Sequence, residues 1–237
     1  MTEAGEGVRR HLALALDLPD AAAAVRLARR LRPWFGVAKI GLELFVAEGP
    51  VVVRAAQDEG YEVFLDLKLH DIPNTVGRAA GRAAALGVRY LTVHAAGGRA
   101  MLEAAVGGYS AESSGGARGN GAGILAVTVL TSDPVARPED LRSRAQLAAE
   151  VGCVGAVCAA PDLAVVRDAA PGLVLAVPGI RLPESAAGDQ ARIATPEAAL
   201  AAGADLLVIG RTVTSASDPE AAAARVAELV AEVTLSS

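Results

Sequence analysis

The sequence predicts an α/β fold, a single closed (β/α)8 barrel (TIM barrel) forming one domain over residues 1–237. Three observations carry that prediction. Eight short β-rich runs alternate with eight Ala-rich helical stretches. Several of the runs are almost wholly apolar (LALAL, ILAVTVL, LVLAV, LLVI), as strands covered on both faces are. No shift in composition divides the eight units, which favours one closed barrel over an open doubly wound sheet.

The first ten residues, MTEAGEGVRR, are polar and read as a flexible lead, with no signal-peptide core after them. The expected strands are then 11–17, 37–41, 62–68, 90–94, 123–130, 155–159, 173–177 and 206–209. The helices that follow them are expected at 20–32, 50–59, 73–86, 99–111, 138–151, 162–169, 196–202 and 219–233. Helix starts are legible in Thr195-Pro196-Glu197 and Ser217-Asp218-Pro219-Glu220, where a capping side chain precedes a first-turn proline and an acid. Helix ends are legible in Leu86-Gly87 and Ala202-Gly203, where glycine takes the left-handed position. The Gly- and Ser-rich stretch 112–123 reads as a long loop inside the domain, because a strand resumes the rhythm after it. A second long polar loop, 181–193, follows the seventh strand and has the composition of a lid.

Composition excludes several classes. Hydrophobic residues at 52% supply a large core, which rules out global disorder. A net charge of −5 disfavours a non-specific nucleic-acid binder, and any anionic ligand must be held by a local positive site. No apolar run is long enough to span a bilayer, so a cytoplasmic protein without a membrane partner is expected. The two cysteines, Cys153 and Cys158, lie in an apolar run and read as buried small side chains. Of 22 basic residues only Lys39 and Lys68 are lysines. Where arginine serves as the generic cation, those two are candidates for work a guanidinium cannot do: a compact charge or a proton donor.

In a closed barrel the chemistry gathers at the C-terminal ends of the strands. Polar residues expected there are Asp17, Lys39, Asp66, Lys68, Asp71, His94, Thr131, Ser132, Arg181, Gly210 and Arg211. Charges at the ends of apolar strands are costly unless paired, so their concentration at one end marks function. Strand alternation puts Asp66 and Lys68 on one face and Leu65, Leu67 and Leu69 on the other, toward the helices. A carboxylate beside an ammonium favours the charged form of each, which suits Lys68 as a general acid and not as a Schiff-base lysine. His70, beside a helix start, reads as a packing or hydrogen-bonding residue. Gly210 and Arg211, with Arg181 and with Gln190 from the lid, fit a phosphate grip in the loops after strands seven and eight. The sequence carries no HxH, CxxC or paired-acid metal spacing and no dinucleotide or Walker loop, so neither metal nor cofactor is expected. Asp17, Asp66 and Asp71 are possible Mg²⁺ ligands for which the lysines compete.

The stretch Asp66 to Thr75, D-L-K-L-H-D-I-P-N-T, resembles the D-x-K-x-x-D-I-P-N-T signature of the orotidine 5′-phosphate decarboxylase family in its bacterial form. The likeness continues in Ala15-Leu16-Asp17, Ala38-Lys39-Ile40-Gly41, Thr92-Val93-His94 and V-T-V-L-T-S ending at Ser132. It runs on through Pro178-Gly179-Ile180-Arg181, D-Q-A-R-I-A-T-P ending at Pro196, and Val208-Ile209-Gly210-Arg211. Departures are Leu69, where an aromatic is common, and Thr212, where proline or serine is common. The resemblance implies a barrel of the ribulose-phosphate-binding type and a cofactor-independent decarboxylation of orotidine 5′-monophosphate to UMP. It implies Lys68 as the donor of a proton to C6, within a charged array with Lys39, Asp66 and Asp71. It further implies Asp17 and Thr75 on the ribose, Thr131 (with Ser132) on the pyrimidine edge, and Arg181, Gln190, Gly210 and Arg211 on the phosphate. Asp71 and Thr75 would cross into a neighbour's site, which implies a homodimer. Mg²⁺-dependent phosphosugar enzymes of the same barrel group share the D-x-K-x-x-D core but lack the I-P-N-T continuation and the D-Q lid. A non-catalytic barrel that senses UMP is the alternative outside catalysis.

Overall fold

The computed structural model describes residues 4–113, 121–130, 136–182 and 193–234. Eight parallel strands close in chain order, β1 pairing with both β2 and β8. They are β1 (Leu12–Ala15), β2 (Val37–Gly41), β3 (Glu62–Leu69), β4 (Tyr90–His94), β5 (Gly123–Val127), β6 (Gly155–Val157), β7 (Val174–Val177) and β8 (Leu206–Ile209). Alternation along each strand divides the apolar residues between two cores. Ala13, Ala15, Val37, Phe64, Tyr90, Leu125, Val127, Ala176 and Leu206 fill the barrel interior. Leu12, Leu14, Ile40, Val63, Leu65, Leu91, Val93 and Leu207 face outward onto the helices.

Helices α1 (Glu6–Arg9), α2 (Ala21–Leu31), α3 (Leu42–Glu48), α4 (Pro50–Asp58), α5 (Pro73–Ala85) and α6 (Gly98–Glu112) accompany the first half of the chain. Helices α7 (Pro138–Glu150), α8 (Leu163–Ala169), α9 (Pro196–Ala201), α10 (Arg211–Thr214) and α11 (Pro219–Thr234) accompany the second. Asp20 caps α2 by accepting the Ala23 N–H at 2.7 Å, and Thr195 caps α9 by accepting that of Ala198. Gly87 and Gly203 have the positive φ expected after a helix end.

Besides the short helix α10, which the sequence reading did not include, and β6 ending at Val157, three differences stand out. The expected lead 1–10 is partly built into the fold: α1 forms, Ala4 N–H donates to the Pro33 carbonyl, and Gly36 N–H to that of Arg9. The segment 42–48 is helical, with only Leu44 buried and Leu42 and Val46 exposed, so no amphipathic stripe announced it. The fifth strand ends at Val127, three residues early, as the chain turns Val129 and Leu130 toward the barrel mouth.

Helices α5 and α6 approach so closely that a Cβ on Gly108 would lie 2.0 Å from the Gly77 carbonyl oxygen. That contact joins the helix following β3, the strand that carries Asp66 and Lys68, to the helix following β4.

Candidate active site

The C-terminal mouth of the barrel holds a cavity of about 220 Å³. Its floor is apolar, from Ala15, Phe64, Val127, Val157 and Val208. Asp17, Lys39, Asp66 and Lys68 line one wall from β1 to β3, and Pro178, Gly179, Arg181, Gly210 and Arg211 line another from the loops after β7 and β8. Seven of the eleven strand-end residues expected from the sequence, Asp17, Lys39, Asp66, Lys68, Arg181, Gly210 and Arg211, therefore converge on one space, drawn from β1, β2, β3, β7 and β8, while Asp71 and His94 do not line it.

The charged wall is a chain of alternating sign. Lys39 Nζ donates to Asp17 Oδ1 at 2.8 Å and Oδ2 at 3.1 Å. It lies 3.9 Å from Asp66 Oδ2, which accepts from Lys68 Nζ at 2.6 Å. Lys39 and Asp66 are nearly buried, with side chains 11% and 12% exposed, while Lys68 remains 33% exposed toward the cavity. Burial of single charges is unfavourable, and here each charged group has a partner of opposite sign. The outer member, Asp17, is 53% exposed, so its contribution is screened by solvent.

Lys68 reaches this position through an irregularity that strand alternation does not predict. Leu65 pairs with Leu91, but the next pair is Leu69 with Val93, so Asp66, Leu67 and Lys68 stand opposite Thr92 alone. Lys68 adopts φ +48°, in the left-handed region that costs a side-chain-bearing residue about 1–2 kcal/mol. The Thr92 hydroxyl fills the bulge: it accepts the Lys68 N–H at 2.8 Å and donates to Asp66 Oδ1 at 2.9 Å. Leu67 and Leu69 still face the outer core, as expected. Sequence reasoning gave Thr92 no role. Its signal was a hydroxyl between Leu91 and Val93 in a strand otherwise apolar on that stretch.

His94, at the end of β4, stacks obliquely on His70 with ring centroids 5.4 Å apart. Burial lowers its pKa from the ordinary 6.5, and the neighbouring His70, Lys68 and Arg144 lower it further against the pull of Asp66. The ring is therefore neutral at pH 7. His70, read as a packing residue, makes its ring contact with His94 outside the cavity lining.

On the side formed by the loops after β7 and β8, Arg181 is buried, and its Nη1 donates to the Ile180 carbonyl at 3.0 Å and to Thr212 Oγ1 at 3.2 Å. Thr212 Oγ1 donates in turn to the Ile180 carbonyl at 2.7 Å. Arg181 N–H also donates to the Ala194 carbonyl, so the stems of the loop 181–193 are pinned together beside the cavity. Gln190, Thr131 and Ser132 lie outside the described residues. Asp71 and Thr75 are not brought into the cavity within one chain. The Asp71 carboxylate accepts the Ile72 N–H at 2.6 Å, and the run from His70 to Thr75 is exposed.

Among the described residues, no group of three or more His, Cys, Asp or Glu side chains is placed to hold a metal ion. Cys153 and Cys158 are buried thiols, and burial pushes the Cys153 group up to about 12, which keeps it protonated. Among the described residues, no helix is long and apolar enough to cross a membrane.

Comparison with known proteins points the same way. Orotidine 5′-phosphate decarboxylase of Anaeromyxobacter sp. (strain K) is 51% identical over 224 residues, 90% of this chain and 95% of that protein. The enzyme of the same name from Thermobifida fusca (strain YX) is 48% identical over 228 residues, 91% of this chain and 94% of its own. The crystal structure of orotidine 5′-phosphate decarboxylase from Lactobacillus acidophilus superposes with a TM-score of 0.78 at 32% identity, covering 93% of this chain and 99% of that one. Residues 10–226 match the model of the Orotidine 5′-phosphate decarboxylase / HUMPS family, and with the closed barrel and the charged array at its mouth they make this chain a member of that family.

Proposed function

We propose that this chain is a carboxy-lyase that converts orotidine 5′-monophosphate to UMP and CO2, with Lys68 as the proton donor and without a metal or organic cofactor. The observation that carries the proposal is the Asp17–Lys39–Asp66–Lys68 chain, lining one small cavity together with Arg181 and Arg211. The chemistry asks for such an array. When the C6–carboxylate bond breaks, its electron pair stays on C6 in an sp² orbital that does not conjugate with the ring carbonyls. The charge must be met by a fixed cation where it develops. The Lys68 ammonium, braced by Asp66, supplies that field and then transfers a proton to C6. UMP forms, and the neutral amine regains its proton from solvent.

The remaining roles follow from position. Asp17, half-exposed at the cavity rim, suits the ribose hydroxyls, and Lys39 joins Asp66 and Lys68 in the charged array. Arg181 and Arg211 suit the phosphate, with the Gly210 backbone beside them, Gln190 supplied by the loop and Thr131 on the pyrimidine edge. Phosphate binding remote from C6 then draws the loop closed and expels water. Asp71 and Thr75 complete the site of a second copy in a homodimer. Two observations support that arrangement: both residues lie on an exposed run outside their own cavity, and Ile72 between them is 65% exposed. The reading carries with it a place among cytoplasmic enzymes of pyrimidine nucleotide synthesis.

The family description also spans a second group, and a Mg²⁺-dependent phosphosugar enzyme is the competing reading. Asp17 and Asp66, which would ligate the ion, are each engaged by an ammonium. The relatives named above carry the decarboxylase name. An absorbance assay with orotidine 5′-monophosphate in excess EDTA tests the proposal. Undiminished conversion to UMP is expected; loss of activity restored by Mg²⁺, or UMP binding without turnover, would overturn it.

A further inference from the structure

We infer that Thr92 is a positioning residue for this reaction, whose single hydroxyl locks the Lys68 backbone and the Asp66 carboxylate to each other. The inference rests on the proposed role of Lys68 and goes beyond it. A hydroxyl offers one donor and two acceptor positions. Thr92 uses the donor on Asp66 Oδ1 at 2.9 Å and an acceptor position on the Lys68 N–H at 2.8 Å. The other carboxylate oxygen, Asp66 Oδ2, accepts from Lys68 Nζ at 2.6 Å. Both ends of Lys68 are thus tied to one acid in a closed ring, the ammonium directly and the amide through the Thr92 hydroxyl.

The backbone makes this ring necessary. Among the described residues Lys68 is the one non-glycine residue with a positive φ. It lies in a bulge where three residues of β3 face Thr92 alone, so the Thr92 side chain takes the place of a strand partner for the Lys68 N–H. Thr92 is completely buried, so solvent does not substitute for its hydroxyl. Valine has the same shape and neither hydrogen bond. It would leave the Lys68 amide without its acceptor and Asp66 Oδ1 without its donor, freeing the bulge to relax and the ammonium to shift. The phosphate side of the cavity, on the loops after β7 and β8, makes none of these contacts and would keep its geometry.

The test measures kcat, KM and the dissociation constant of UMP for the parent enzyme, Thr92→Val and Thr92→Ser, with rates expressed per UMP-binding site. Thr92→Val is expected to lower kcat by about tenfold to a hundredfold, as misplacement of a catalytic group does. UMP affinity should stay within about twofold, and Thr92→Ser should restore kcat to within about threefold of the parent. The inference is overturned if Thr92→Val keeps kcat within about twofold, if Thr92→Ser shares the full loss, or if UMP affinity falls in proportion to kcat. If Thr92→Val does not fold, Thr92→Ala, which only deletes atoms, is judged by the same criteria. Failure of the functional reading is distinguishable, because the parent enzyme itself would then show no turnover.

Discussion

Each charged side chain in the Asp17–Lys39–Asp66–Lys68 chain is held by a neighbour of opposite sign, whereas His94 nearby is held neutral. Asp66 lies between two ammonium groups, 2.6 Å from Lys68 and 3.9 Å from Lys39. His94 lies close enough to Lys68, His70 and Arg144 for their charges to disfavour its own. The consequence for stability has a definite sign. Because the folded-state pKa of His94 is lowered, the unfolded chain binds its proton more readily than the folded one. Stability is therefore complete above the ordinary pKa of 6.5 and declines as pH falls through the window below it. Urea unfolding of the parent and of His94→Asn at pH 7.5 and pH 5.5 checks this. The stability lost by the parent on acidification should be smaller in the variant; equal losses would show that His94 carries no pH dependence.

Elements succeed or fail in the sequence according to how they are buried. Strands such as β5 and β8 are legible because both faces are covered and every residue is apolar. Helices with a capped start or a terminal glycine, such as α5 and α9, are legible from those signals. Helix α3 is not, because it buries one residue and exposes Leu42 and Val46. The bulge in β3 is not, because periodicity alone does not reveal an unequal count between neighbouring strands. The acids and amines proposed for the chemistry were legible because charges at apolar strand ends contradict packing, and the residues expected on the neighbour's site, Asp71 and Thr75, were legible only through the family signature. At this scale the close crossing of α5 and α6 gives a prediction. Gly108→Ala places a methyl against the Gly77 carbonyl and should destabilise the fold by about 1–3 kcal/mol, seen as a lower urea midpoint. An unchanged midpoint would mean that the two helices separate at no cost.

The whole molecule divides its polar groups between two ends. At the end where the strands begin, Arg167 bonds the carbonyls of Pro171, Leu173 and Gly203 and the Asp205 carboxylate, which also accepts the Leu175 N–H. Those bonds close turns and hold the barrel. At the other end the polar groups face an open cavity, as expected where a barrel does its chemistry. A shared site between two copies has a consequence that a self-contained one lacks. Mixed Lys68→Ala and Asp71→Ala chains, each inactive alone, should form hybrid dimers with one intact site and recover roughly a quarter of the parent rate after subunit exchange. No recovery despite proven exchange would contradict a shared site.

In the proposed reaction the ammonium of Lys68 bears the main chemical load, and its replacement is the most direct trial. Turnover of orotidine 5′-monophosphate and affinity for UMP should be measured together for Lys68→Ala, in the presence of chelator. The expected result is no detectable decarboxylation with UMP still bound through the arginine side of the cavity. Turnover near that of the parent would contradict the account, because the developing charge at C6 would then be met by some other group.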